Sequence, residues 1–141
     1  MSRRIIFFAV LTLAMSSNSI TLGADKEAPQ NLIIKEMVAL DKAFKTTIDA
    51  VVLNRLDKIV PAFEDVHRVR EEVEKTIKEG KKIALPKNQE RFKLFVSLDN
   101  RFHKEAEILM ESAKKNHIGR VQKQTNRLLG LCVRCHTMFR K

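Results

Sequence analysis

Residues 120–141, which read RVQKQTNRLLGLCVRCHTMFRK, carry the pattern that decides the fold most clearly. Side chains that can pack in a core recur there at alternating intervals of four and three residues, which places them on one face of an α-helix. They are Val121, Thr125, Leu128, Cys132, Cys135 and Phe139. The spacing predicts a last helix that runs from Arg120 almost to the chain end and turns both cysteines towards the core.

Three earlier segments show the same helical spacing, and none shows the alternation typical of a strand. They cover about residues 32–52, 57–79 and 88–115. Gly80 ends the second segment, and residues 116–119 separate the third from the last. Four amphipathic helices with short loops predict an all-α fold, an antiparallel up-down-up-down four-helix bundle; an irregular helical array is the alternative.

The first two helices have recognisable starts. Asn31 is a candidate N-cap of the first helix, and Glu36 falls in an early turn, where acidic residues are common. The apolar stripe of this helix is predicted at Ile33, Met37, Leu40, Phe44 and Ile48. Pro61 is tolerated in the first turn of the second helix, but it is expected to kink that helix if the helix begins further upstream.

The first 24 residues have the composition of an export signal. Two arginines precede an apolar run at residues 5–15, and small residues follow at Gly23 and Ala24. The run is too short to span a bilayer stably, and an uncleaved membrane anchor is the alternative. Cleavage after Ala24 or Gly23 would leave residues 25–141 as one domain, predicted to be exported.

The mature chain is predicted to be basic. Residues 1–24 contain two of the 27 basic residues and none of the 17 acidic ones, so their removal lowers the net charge from +10 to +8. Export and the lack of an aromatic-basic stacking pattern argue against nucleic acid. An acidic protein partner is favoured over an anionic membrane surface, and a charge of this size can also serve solubility alone.

The most informative motif is CVRCH at residues 132–136. On a helix, Cys132, Cys135 and His136 share one face. Two thiols can then bond to the two vinyl groups of one porphyrin while the adjacent imidazole reaches the iron. This spacing is typical of the covalent attachment of one haem c.

Three other interpretations of the motif are less favoured. A redox dithiol would normally lie at a helix start beside a strand, and the sequence predicts no strands. A structural zinc site needs a second pair of ligands, whereas His67, His103 and His117 are scattered. A simple disulfide would leave His136 unexplained, and two cysteines exclude a scaffold of several disulfides.

Met37 is the predicted second axial ligand of the iron. In an antiparallel bundle the end of the last helix lies beside the start of the first, so Met37 and His136 fall at similar depth, within roughly 9 Å of the bundle end. A thioether opposite an imidazole is an established cytochrome ligand pair. The alternative is that Met37 only fills the core. His103 is expected about 12 Å deeper, where it and His67 are interpreted as surface or satisfied core histidines.

Further side chains near this end of the bundle are candidate haem contacts. Phe92, Phe95 and Phe44 would pack on the porphyrin or simply in the core. The candidate partners of the propionates are Lys35, Arg134, Arg140 and Lys141. If the register of the first helix differs by one turn, the residue over the iron would be one of Ile33, Ile34 and Leu40.

Over the whole mature chain, the sequence resembles the class II c-type cytochromes, which comprise the cytochrome c-prime group and its low-spin relatives. The resemblance is carried by Cys132-x-x-Cys135-His136, by the ending HTMFR at 136–140 and by a methionine early in the first helix. The stretch 37–45 also looks like the opening of the related periplasmic b-type bundle cytochrome, in which such a methionine binds iron. The resemblance implies a four-helix bundle, a periplasmic location and haem c.

Two functions diverge within that family. Members with the early methionine are six-coordinate electron carriers, whereas cytochromes c-prime proper are five-coordinate and bind nitric oxide or carbon monoxide. Met37 favours the electron carrier, with redox proteins as partners, a homodimer as one option and no substrate turnover. The other hypotheses are a gas-binding cytochrome c-prime and a haem-free helical interaction protein.

Overall fold

The computed structural model describes residues 32–140, and every regular element in that part of the chain is helical. The α-helices are α1 Leu32–Val52, α2 Ile59–Ala62, α3 Glu64–Lys78, α4 Phe92–Lys114 and α5 Ile118–Phe139. Because a single residue separates the short α2 from α3, the two count as one rod of the bundle, and the predicted all-α four-helix bundle is confirmed. The predicted export signal and Asn31 lie outside the described residues.

Helix α1 has its predicted bounds, but the face that it buries differs from the predicted stripe. The buried residues are Ile33, Glu36, Leu40, Ala43, Thr47 and Ala50. Met37 and Phe44 lie beside this face and are half-buried, and Ile48 is 46% exposed, so its predicted core position was wrong. The prediction followed the large apolar side chains, whereas the face of closest packing contains two alanines and two polar residues.

The second rod is interrupted near Pro61. A 3-10 turn at Leu56–Lys58 precedes α2, so the helical path begins upstream of the proline, and α3 begins only at Glu64. Pro61 has no N–H to donate, and the N–H of Phe63 bonds to the carbonyl of Val60 at 3.1 Å, three residues back. The rod still buries a continuous face, which consists of Ile59, Phe63, Val66, Val69 and Val73.

Helices α4 and α5 differ from their predicted starts by a few residues. Asn88 has a left-handed φ of 55°, which a right-handed helix does not accommodate, and a 3-10 turn at Gln89–Arg91 follows it. Helix α4 therefore begins at Phe92 rather than at residue 88. Helix α5 begins at Ile118, two residues before the predicted start.

Contacts between the helices set their relative directions. Lys35 pairs with Glu72 at 2.6 Å and Lys42 with Asp65 at 3.7 Å, so α1 and α3 are antiparallel. Helices α4 and α5, joined by a short connection, pack against each other along their length. The up-down-up-down order of the whole bundle stays a prediction. Within residues 32–140, no helix combines the length and the apolar character that a membrane span requires.

The buried core consists of two clusters, although a small domain usually has one contiguous core. The larger cluster includes Leu56, Phe63, Leu109, Val121 and Leu128. The smaller one consists of Ile33, Val73, Ile83, Leu85, Phe95, Leu98 and Phe139. Met37 packs against both clusters, Cys132 against the larger and Cys135 against the smaller. The two clusters therefore meet at residues that the sequence predicted to bind haem.

Candidate functional site

A cavity of about 660 Å³ lies where the two core clusters meet. Helices α1, α4 and α5 form its walls, and Leu85 and Pro86 from the loop before α4 line it as well. Most of the lining side chains are apolar. All four predicted cofactor residues line this one cavity: Met37, Cys132, Cys135 and His136. The fold thus brings together residues that are about a hundred positions apart in the sequence.

Helix α5 positions three of these side chains. Cys132, Cys135 and His136 lie in its last eight residues, are half-buried and line the cavity. Phe139 anchors the end of the helix, because its ring packs edge-on against Phe95 with the centroids 5.5 Å apart. The predicted spacing on one helical face is therefore realised.

The loop between α3 and α4 is fastened to this end of the bundle. The Gln89 side chain accepts a hydrogen bond from the N–H of Leu85 at 2.7 Å and donates one to the carbonyl of Ile83 at 3.2 Å. Asn88 Nδ2 donates to the carbonyl of Met138 at 2.6 Å. These bonds hold Leu85 against the cavity and join the loop to the helix that carries His136.

The protonation of the two thiols argues against a redox dithiol. Burial raises the pKa of Cys132, and burial together with the charge of Asp99 raises the pKa of Cys135 to about 11. Both thiols are therefore neutral near pH 7. Redox-active cysteines instead have lowered pKa values, commonly at a helix N-terminus, whereas these lie near the C-terminus of α5.

Helix α1 places Met37 at the cavity from a different wall. Met37 is the one methionine among the lining residues; Met110 is buried in the larger cluster, and Met138 packs against the smaller one. Ile33, Ile34 and Leu40 also line the cavity. Of these four α1 side chains, only Met37 has an atom, its thioether sulfur, that can bind iron.

Only some of the other residues predicted to contact haem line the cavity. Phe44 and Phe95 line the cavity, whereas Phe92 does not line it and stacks on Phe95 with the ring centroids 6.1 Å apart. Of the candidate cations, Arg140 lines the cavity and Lys35 is paired with Glu72. Arg134 is exposed outside the lining, and Lys141 lies beyond the described residues.

A buried polar pair next to the cavity was not predicted from the sequence. The sequence predicted only that Glu36 lies in an early turn of α1. The residue is fully buried, and its Oε1 lies 2.9 Å from Nε2 of His103. His103 is thus a core histidine, but it is satisfied only at Nε2, because its Nδ1 has no hydrogen-bond partner among the described residues. The expectation that it lies about 12 Å deeper than Met37 was wrong, since it contacts Glu36, the residue before Met37. The four-residue spacing of Asp99 and His103 on α4 was the one signal in the sequence, because it places both side chains on one helical face.

Comparisons of the chain with protein-family models, with curated proteins and with solved structures gave no match. The cavity and its lining residues, together with the CVRCH motif, are therefore the basis for assigning a function.

Proposed function

We propose that this chain is a periplasmic monohaem c-type cytochrome that carries electrons. Cys132 and Cys135 would hold haem c covalently, and His136 and Met37 would be the two axial ligands of its iron. The observation that carries the proposal is that one cavity is lined by all four residues, which come from two different helices.

The cavity suits such a group in size and in chemistry. Its volume of about 660 Å³ lies within the range of roughly 300–1,000 Å³ typical of cofactor sites. Its walls are mainly apolar, as a porphyrin requires, and Arg140 supplies a cation at the lining for a propionate. When bound, haem supplies a one-electron couple between ferric and ferrous iron.

The protein's own residues account for the type of activity. Cys132 and Cys135 would keep the cofactor attached in either oxidation state. His136 and Met37 would both bind the iron, which would leave no open site for a substrate, and the thioether would raise the reduction potential. The apolar walls limit the access of water, and that also tunes the potential. These properties favour electron transfer rather than turnover.

A five-coordinate, gas-binding cytochrome c-prime is the second candidate. The observation that favours it is that Ile33, Ile34 and Leu40 line the cavity beside Met37 on α1. An apolar residue over the iron would leave one axial position free for nitric oxide or carbon monoxide. In that case Met37 would serve only as packing between the two core clusters.

The optical spectrum of the wild-type protein tests the proposal first. Expressed with haem-maturation machinery, the protein is expected to show a low-spin spectrum in both oxidation states, with the far-red methionine–iron band in the ferric form. Carbon monoxide is expected to leave the ferrous spectrum unchanged, because His136 and Met37 would both bind the iron. A high-spin ferric spectrum with prompt carbon monoxide binding would instead assign the protein to the gas-binding type.

The charge of the mature chain leads to a prediction about its partners. A chain of net charge +8 attracts acidic redox proteins through long-range electrostatics, which salt screens with a Debye length of about 10 Å at 0.1 M. Electron transfer from an acidic donor protein is therefore expected to slow as ionic strength rises, as measured by stopped-flow absorbance. An uncharged small-molecule reductant is the control and should show little change. Equal salt dependence for both reductants would contradict an acidic partner.

A further inference from the structure

A buried cluster of two carboxylates and one imidazole lies beside the cavity, apart from the four proposed haem residues. Glu36 comes from α1, and Asp99 and His103 come from α4. Glu36 is 0% exposed and His103 1%, while the side chain of Asp99 is 15% exposed and lines the cavity. The cluster is thus enclosed by the bundle, with one member open to the cavity.

The three side chains converge on a common point. Nε2 of His103 lies 2.9 Å from Oε1 of Glu36 and 3.6 Å from Oδ1 of Asp99, and one ligand atom from each residue lies within 4.8 Å of the others. Ligand atoms around a tetrahedral ion, with bonds of about 2.0–2.2 Å, are separated by roughly 3.4 Å. Shifts of about an ångström or less would therefore suffice to surround an ion.

Two buried polar atoms of the cluster lack hydrogen-bond partners within the part of the chain that the structure describes. Oε2 of Glu36 and Nδ1 of His103 are buried and have no hydrogen-bond partner among the described residues. One imidazole N–H faces two carboxylates, and a buried charge without full compensation is costly. Arg70 on α3 is a nearby cation, but its side chain already bonds to Glu74 at 2.9 Å. A divalent cation would compensate both carboxylates at once.

We propose that Glu36, Asp99 and His103 form a second metal site, which binds a divalent transition-metal ion of the zinc class. His103 would coordinate through Nε2, the nitrogen that faces both carboxylates, and its proton would move to Nδ1, so that the ion satisfies the carboxylates and leaves Nδ1 without a partner among the described residues. Glu36 and Asp99 would coordinate through oxygen, and Oε2 of Glu36 is available as an additional ligand atom. One nitrogen and two carboxylate oxygens form a ligand set that Zn²⁺ accepts, and Asp99 is the partly exposed member of the cluster.

The test is zinc binding by the mature, haem-loaded protein. After incubation with Zn²⁺ and removal of the excess, elemental analysis is expected to find about one zinc per chain. His103→Ala is expected to lose it, and Glu36→Gln and Asp99→Asn are expected to weaken binding by about 100-fold or more, since loss of a partner of a ligand alone costs 10–100-fold. His67→Ala, which removes a half-buried histidine from α3, is the matched control and should retain the zinc.

A variant that lacks both thiols and is prepared without haem separates this inference from the proposed function. The variant Cys132→Ser/Cys135→Ser lacks both thiols. Any zinc that it binds must therefore be held by other residues. Zn²⁺ is expected to raise the melting temperature of this variant, and Co²⁺ to give visible absorption bands, and both effects should vanish when His103→Gln is added. Absence of zinc from both proteins, or binding that survives loss of His103, would overturn the proposal whether or not haem is attached.

Discussion

Replacing Cys132 and Cys135 together by alanine is expected to abolish covalent haem. In the wild-type protein the colour should survive denaturation and acid extraction, because two thioether bonds fasten the porphyrin to α5. In the double variant only axial ligands and apolar contacts would remain, and unfolding removes both. The measurement is a haem-stained denaturing gel, supported by the intact mass of the chain.

Single substitutions of the two cysteines, and of a residue between them, test each thioether bond separately. Cys132→Ala and Cys135→Ala should each retain one bond and therefore some covalent haem, in reduced yield. Val133→Ala is the matched control, because Val133 lies between the two cysteines, is 55% exposed and lines the same cavity, but has no thiol that could bond to haem. It should stain like the wild type. Haem that stays on the denatured double variant would contradict the assignment of both thiols.

The folded double variant also separates attachment from ligation. If His136 and Met37 line the cavity as axial ligands, the variant should still bind added haem without a covalent bond and give a low-spin spectrum. Circular dichroism would establish that the bundle is retained. A folded variant that binds no haem would show that attachment, rather than ligation, maintains the complex.

The parts of the fold that the sequence predicted are those governed by local periodicity. The bounds of α1 agree with the spacing of its apolar residues, and α5 deviates by two residues at its start. Breaks in the chain were also visible, since Gly80 and the stretch 116–119 carry residues that end helices. Local patterns therefore located the four rods and placed the cysteines and His136 on one face.

The side of α1 that faces the core could not be read from its own residues. Large apolar side chains predicted the stripe at Met37, Phe44 and Ile48, but the helix buries Glu36 and Thr47 instead. Burial of Glu36 depends on His103 of another helix, and Thr47 satisfies its hydroxyl by donating to the carbonyl of Ala43 at 2.9 Å. Such partners are defined by tertiary packing, which a periodicity count does not include.

The difference between the predicted and the observed buried face of α1 affects the position of Met37 in the candidate site. A fully buried Met37 would be a simple packing residue, whereas the observed half-buried position leaves its side chain at the cavity. The Glu36–His103 contact joins α1 to α4, and Met37 follows Glu36 at the edge of the buried face of α1. The position of the predicted ligand therefore differs from the centre of the apolar stripe.

Met37→Ala is expected to convert a low-spin iron into a largely high-spin one. Loss of the thioether removes one strong axial ligand, and alanine leaves space on that side of the cavity. The ferric far-red band should disappear, carbon monoxide should bind the ferrous form, and the reduction potential should fall because the thioether raises it. Optical spectra with and without carbon monoxide and a redox titration measure these three changes.

Two further substitutions distinguish ligation from packing. Met37→Leu keeps most of the volume but removes the sulfur, so it should give the same high-spin spectrum as Met37→Ala if the thioether binds iron. Met138→Ala is the matched control: this methionine is also half-buried and is two residues from His136, but it does not line the cavity. Its spectrum should remain low-spin. If the spectrum of Met37→Leu remains low-spin, Met37 only packs between the two core clusters and another group completes the coordination of the iron. If the wild-type spectrum is already high-spin, the apolar residues of α1 cover an open iron and the gas-binding function is favoured.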